Sequence, residues 1–297
     1  MGLLNKTTRW IFLLPNPISH KIDERHIHDI AFGVKCLLKA GIIYSNIDIF
    51  IDNNPVDLTN YYFDYFETPR PAQVYHTKQL KKIISTNKKK FAVIFVTGHG
   101  SSEGMVADNP IKPFELYKIF QEAPNLKKTV FYFGQCFAGI FNYMPLTHHL
   151  NLQGKLTNNI TAIGATGFTP SISLRKNLPN GKVYDANIFL LYIYQWILQK
   201  KDIDGDGLLS VMDSFKYATI ETYKELHTSE KQHLLQSVVG VEKLLKTLQE
   251  TDTTKLSLSD KLKIEIQEKA LQDNLEFYKI SQEPWILNAN VAMNTLY

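Results

Sequence analysis

Two apolar runs, each cut short by a glycine-framed reactive residue, constrain this chain more than anything else in it. The first is Phe91-Ala92-Val93-Ile94-Phe95-Val96, which passes through Thr97-Gly98 to His99 and Gly100. The second is Thr129-Val130-Phe131-Tyr132-Phe133, which passes through Gly134-Gln135 to Cys136, Phe137, Ala138 and Gly139. Unbroken apolar runs of this length, rich in β-branched and aromatic residues, suit strands buried on both faces, as in a parallel sheet covered by helices. Pro113 to Gln121, with Phe114, Leu116, Tyr117 and Phe120 apolar, supplies the crossover helix that parallel strands need. A right-handed crossover makes the two strands neighbours. His99 and Cys136 then leave adjacent carboxyl ends, the edge where open α/β sheets hold their sites.

That placement suits nucleophilic chemistry. A cysteine attacks as its thiolate, and a nearby imidazole takes the proton or stabilises the charge. The oxyanion that follows needs N–H donors, and Gly100 leaves a backbone N–H open beside the histidine. Either residue alone reads more simply as a core cysteine or a loop histidine. The pair, on successive strand ends with glycines at both, favours a working dyad.

The remaining chain alternates strands and helices, the sign of a parallel sheet. Trp10 to Leu14 reads as a first strand, stopped by Pro15-Asn16-Pro17. Asp23 to Ala40 carries Ile27, Ile30, Ala31, Val34, Leu37 and Leu38 at helical spacing, and Gly41 closes it. Cys36 falls in that helix as a core residue. Ile47 to Ile51 is a second strand, and the aromatic stretch from Asn60 to Gln73 reads as a packed loop or small hairpin. Thr77 to Ser85 is a helix, Ala138 to Leu152 a helix and turn containing His148-His149, and Ile160 to Gly167 a further strand. At 297 residues and 44% hydrophobic, the chain can bury a large core. No stretch of about 18 apolar residues exists, so no membrane span is expected. The start is no secretory signal, and two cysteines make no disulfide framework, which together point to the cytoplasm. A formal charge of +4 is too mild to argue for nucleic acid, and Lys78, Lys81, Lys82 and Lys88 to Lys90 read as a solvated face.

A second pattern is local. Asp202-Ile203-Asp204-Gly205-Asp206-Gly207-Leu208-Leu209-Ser210-Val211-Met212-Asp213 fits the twelve-residue EF-hand loop. Asp202, Asp204 and Asp206 offer carboxylates, Leu208 its carbonyl, and Asp213 closes the shell, as a hard cation such as Ca²⁺ requires. Aspartate in the last place reaches less far than the usual glutamate and should weaken binding. Helices are expected on both sides, Ala186 to Lys200 and Val211 to Leu226. A single ion here would be structural or regulatory, with no part in the chemistry.

From Thr228 the pattern turns helical and more polar, over Lys231 to Gln249 and Ser257 to Ser281, with Thr251-Asp252-Thr253-Thr254 as the break. Pro284 to Tyr297 is apolar enough to dock onto the body. The expected division is therefore an α/β domain over 1–227, holding the acidic loop at 202–213, and a helical extension over 228–297. That extension braces the domain, binds a regulatory partner, or restrains the site until it is cut.

Strand-Thr97-Gly98-His99-Gly100 followed by strand-Gly134-Gln135-Cys136-Phe137-Ala138-Gly139 resembles the caspase-like (clan CD) cysteine peptidases: caspases, metacaspases, legumains and their bacterial relatives. The match covers roughly Arg9 to Tyr223, and a bacterial-type member is the expected relative. The pentapeptide around Cys136 is neither the caspase nor the usual metacaspase one. The resemblance implies a mostly parallel caspase-like sheet flanked by helices and an endopeptidase acting on protein or peptide. It implies Cys136 as nucleophile, His99 as general base and acid, and the N–H groups of Gly100 and Cys136 as oxyanion donors. It makes Thr166, Gly167, Ser171 and Ser173 part of the wall around the residue before the cut bond. Self-cleavage and calcium dependence also occur in the family. Arg175 and Asp23 do not decide specificity, and Asp108 and Asn109 are the candidates to orient His99. Two other readings stay open: a non-peptide hydrolase or amidotransferase with the same dyad, and a calcium-responsive binding module with an inactive one.

Overall fold

Both apolar runs lie at the centre of one six-stranded sheet. The computed structural model describes residues 2–143, 158–178, 181–226 and 282–297, with scattered positions between 246 and 269. The sheet is built from β1 (Thr8–Leu14), β2 (Ile47–Ile51), β3 (Phe91–Val96), β6 (Lys128–Phe133), β7 (Asn159–Gly164) and β10 (Trp285–Leu287). Their order is β10-β7-β6-β3-β1-β2, and every pairing is parallel except β10 on β7. Two short hairpins stand outside it, β4 (Gly100–Ser101) with β5 (Gly104–Met105), and β8 (Ser173–Asn177) with β9 (Val183–Asn187).

Unbroken apolar sequence is needed because both faces are buried. Along β3, Val93 and Phe95 enter one core while Ala92, Ile94 and Val96 enter the other. Along β6, Val130 and Tyr132 face the first and Phe131 and Phe133 the second. The first core is closed by α1 (Glu24–Lys39), α2 (Val56–Tyr65), α5 (Ile188–Gln199) and the start of α6 (Val211–Glu225). The second is closed by α3 (Leu80–Ser85) and α4 (Pro113–Gln121). The fold is thus α/β, a mostly parallel sheet flanked by helices, as expected. The crossover helix α4 runs from Pro113 to Gln121 as expected, and it joins two strands that pair in parallel.

Two local expectations differ from the structure. The aromatic stretch after Asn60 continues a helix, α2, and does not form a loop or hairpin of its own. Thr59, Tyr62, Phe63 and Phe66 are buried at the spacing of one helical face, so the stripe outweighs the weak helix propensity of aromatic residues. The chain from Ala138, expected to start a helix, makes only a 3₁₀ turn over Ala138–Phe141 and is extended at Asn142.

By contact the chain divides into two units, one of Met1–Ile220 with Gln282–Tyr297 and one of Glu221–Ser281. The end of the chain, grouped by sequence with the 228–297 extension, belongs to the first unit. There β10 extends the sheet, α7 (Ala289–Met293) follows it, and the Tyr297 hydroxyl meets that of Tyr132 at 2.7 Å. His148-His149, the break at 251–254 and most of the two expected helices between 231 and 281 lie outside the described residues. Among the described residues no helix is long and apolar enough to cross a membrane.

Candidate active site

β3 and β6 pair so that Val96 stands opposite Phe133. His99 and Cys136 follow those residues by the same number of positions, on the same edge of the sheet. The Gly134 N–H donates to the Val96 carbonyl at 2.8 Å, which carries the pairing beyond the strands. Gly100 lies against the Cys136 backbone, where a Cβ would overlap the Cys136 carbonyl oxygen. Glycine at 100 is therefore the condition for the two strand ends to meet.

Cys136 sits on a sharp turn. Phe137 has φ 53° and ψ 29°, a left-handed conformation unusual for a bulky side chain. The Thr169 carbonyl holds it by accepting the Phe137 N–H at 2.9 Å. The loop between β7 and β8 wraps the cysteine further. Gly139 N–H donates to the Gly167 carbonyl at 2.9 Å, and the Ser171 N–H points at Cys136 Sγ at 3.3 Å. An N–H directed at sulfur suits the negative charge of a thiolate.

The four expected wall residues fall in two groups. Ser171 faces the sulfur, and its hydroxyl accepts from Asn187 Nδ2 at 2.9 Å; Ser173 accepts from Arg25 Nη1 at 3.1 Å. Gly167 touches the turn after Cys136, whereas Thr166 is buried and its carbonyl takes the Trp285 indole N–H at 2.8 Å. Asn187 Nδ2 also donates to the Gly134 carbonyl at 2.6 Å, so one amide ties the wall to the cysteine strand.

Behind His99 lies a polar cluster that the sequence reading overlooked. The His26 ring meets the His99 ring edge to face, with centroids 5.1 Å apart and planes at 87°. His26 Nδ1 lies 2.9 Å from Thr97 Oγ1 and 3.2 Å from the Gly98 N. Thr97 Oγ1 donates to Asp29 Oδ2 at 2.9 Å, while Asp29 Oδ1 accepts from the Tyr184 hydroxyl at 2.8 Å and the Asn187 N–H at 3.0 Å. Asp23 caps α1 and pairs with Arg25 at 2.6 Å. One ligand-type atom from each of Asp23, His26 and His99 lies within 4.8 Å of the others. Asp108, by contrast, accepts the Ile18 N–H at 2.7 Å.

Burial sets the charge states here. Desolvation lowers His26 to about 3, with Arg25 adding to the effect, so its ring is neutral near pH 7. Burial raises Asp29 to about 6 against the three donors that favour its anion. His99 is lowered, first by partial burial and then by Arg25, which keeps its imidazole neutral and able to accept a proton. The missed signal was His26 and Asp29 on the apolar side of α1, beside Ile27 and Ile30.

The acidic loop forms a separate cluster. Carboxylate oxygens of Asp202, Asp204 and Asp206 lie within 4.8 Å of one another and are exposed. The loop's own N–H groups shape it: Asp202 accepts from Gly205 at 2.7 Å and Gly207 at 2.9 Å, and Asp206 accepts from Leu208 at 2.8 Å. Lys216 Nζ lies 2.8 Å from Asp204 Oδ2 and holds that carboxyl below its usual range. Asp213 is buried and accepts from the Ile203 N–H at 2.7 Å and the Ser210 N–H at 2.9 Å. With Ser210 it forms a reciprocal cap on α6, so the residue that ends the loop pattern also starts the helix. The three clustered carboxylates are of the type a hard cation takes, whereas Asp213, expected to close the shell, is engaged by the Ile203 and Ser210 N–H groups and lies outside the cluster.

No family model and no curated protein sequence matches this chain. Among solved structures, it is similar to the crystal structure of caspase-1 from Spodoptera frugiperda, at 12% identity and a TM-score of 0.43, over 72% of this chain and 77% of that one.

Proposed function

We propose that this protein is a caspase-like cysteine endopeptidase acting on protein or peptide substrates. The reading is carried by the placement of His99 and Cys136 just beyond the ends of two neighbouring parallel strands, with Gly100 packed on the Cys136 backbone. In this reading Cys136 attacks the peptide carbonyl and His99 takes the thiol proton, then returns it to the leaving amine. The N–H groups of Gly100 and Cys136 receive the oxyanion, and water completes hydrolysis of the thioester. Ser171 and Ser173 stand where the wall of the pocket is needed, and Arg25, bonded to Ser173, brings a cation to it. Asp202, Asp204 and Asp206 hold Ca²⁺, which orders the loop before α6 and takes no part in bond cleavage.

Alkylation of Cys136 by iodoacetamide near neutral pH tests the dyad, with and without Ca²⁺. Fast labelling that falls in His99→Ala supports it, and equally slow labelling in both proteins would sink it. Hydrolysis of a peptide library, read as new amino termini that vanish in Cys136→Ala, separates an endopeptidase from a hydrolase of non-peptide substrates.

A further inference from the structure

Among the buried nitrogens that have no partner, one lies beside His99. His26 is 6% exposed, and its Nε2 is hydrogen-bonded to nothing. Buried polar atoms are nearly always hydrogen-bonded, so an unpaired one calls for an explanation. The surrounding bonds limit what this atom can offer. The Thr97 hydroxyl has one proton and donates it to Asp29, so toward His26 it can only accept. With the ring proton on Nδ1 and given to Thr97, Nε2 keeps a bare lone pair. The Gly98 N–H donates to the same nitrogen at 3.2 Å in the other tautomer, in which Nε2 carries the proton, and a cation on Nε2 selects the first. Ring proton to hydroxyl to buried carboxylate is the outer shell typical of histidines that bind metal, since it orients the ring and raises its basicity.

From these bonds and the nearness of Asp23 and His99, we propose that Asp23, His26 and His99 form a site for a divalent transition cation of the zinc class. Imidazole nitrogens and one carboxylate suit zinc, and neither histidine suits calcium. Zinc holds such ligands at about 2.0–2.2 Å, which brings the donor atoms of a tetrahedral site to roughly 3.4 Å apart. The present atoms, within 4.8 Å, need only a side-chain adjustment, chiefly Asp23 turning from Arg25. Asp23 and His99 are only partly buried, so the cation has a path and a place for a water ligand. His99 is shared between this site and the proposed dyad, so the bound cation withholds the base from Cys136. That regulatory consequence rests on the peptidase reading; the binding itself does not.

The test is zinc competition against a chromogenic chelator with full-length Cys136→Ala protein, in excess Ca²⁺ so that the acidic loop is occupied. One zinc per chain is expected. His26→Gln should weaken it by more than about tenfold, and Thr97→Val by about tenfold through the outer shell. Asp23→Asn keeps an oxygen to cap α1 and tests the carboxylate without the risk of unfolding; several-fold weakening is expected. Zinc binding that needs Cys136, or that His26→Gln and Asp23→Asn leave unchanged, overturns the proposal. Zinc should also slow iodoacetamide labelling of the protein that retains Cys136. If zinc binds as described and labelling is unaffected, the dyad reading fails and the metal site stands.

Discussion

The sheet edge and the acidic loop both gather ionisable side chains, and they do so in opposite ways. At the sheet edge, His26 and Asp29 are withdrawn from water and fixed by partners from α1, β9 and the turn after β3. In the loop, Asp202, Asp204 and Asp206 face solvent and are held mainly by N–H groups a few residues along the chain. At the first place desolvation sets the charge states of His26 and Asp29; at the second a neighbouring lysine acts on Asp204 in high dielectric. The first arrangement suits the proposed proton transfer, and the second suits the proposed cation. If that contrast is right, changes at the edge should alter chemistry strongly, and changes in the loop should move an ion's affinity.

Removing the dyad should have the largest effect. Cys136→Ala abolishes hydrolysis, and His99→Ala lowers its rate by about 10²–10⁴, the usual contribution of a general acid–base group. Loss of activity in Lys216→Met as severe as in His99→Ala would break the separation of the two regions. Gly100→Ala comes next, because its methyl must displace the Cys136 carbonyl. It should cost about 1–3 kcal/mol of stability and a large part of kcat, read by melting and by hydrolysis.

A smaller effect is expected from the buried histidine. His26 is lowered in the folded protein to about 3, from an ordinary value of 6.5. The stability it contributes is therefore present above pH 6.5 and lost as pH falls toward 3. Denaturant unfolding across that window should fall less steeply for His26→Gln than for the natural protein; parallel curves would show that His26 is not buried neutral. Asp29 works against this, since a raised carboxyl contributes stability below its unfolded value that is lost as pH rises through about 6. The comparison should therefore be repeated with Asp29→Asn.

In the loop, Lys216→Met removes the cation already paired with Asp204 and should tighten Ca²⁺ binding several-fold, measured by calorimetry. Asp204→Asn should weaken it by a similar factor. The smallest shift is expected from Arg25→Gln. Arg25 depresses His99, so its loss raises that group and moves the acid limb of alkylation to higher pH by a fraction of a unit. A shift to lower pH would mean that Arg25 acts there mainly by holding Asp23.

How much was legible depends on how far apart the cooperating residues are. His99 and Cys136 each end an apolar run and announce themselves, and the helix between the runs sets their strands side by side. The loop pattern is contained in one stretch from Asp202 to Asp213, so spacing alone brings its carboxylates together. Of the residues expected around the pocket, Ser171 and Ser173 meet the sulfur and Arg25, while the Thr166 carbonyl is taken by Trp285. His26 and Asp29 were hidden because a polar residue in an amphipathic helix reads as solvent-facing until the fold covers it.

By itself the sequence determined the alternation of strands and helices, the two faces of each strand and the place of His99 and Cys136 along the chain. Those are matters of periodicity and of residues that stop a strand, and neighbours in sequence decide them. Only the tertiary structure decided which groups surround His99, that the end of the chain completes the sheet, and that Arg25 reaches Ser173. Each of these joins residues far apart in the chain, where the pairing follows from which surfaces exclude water together and no local preference records it.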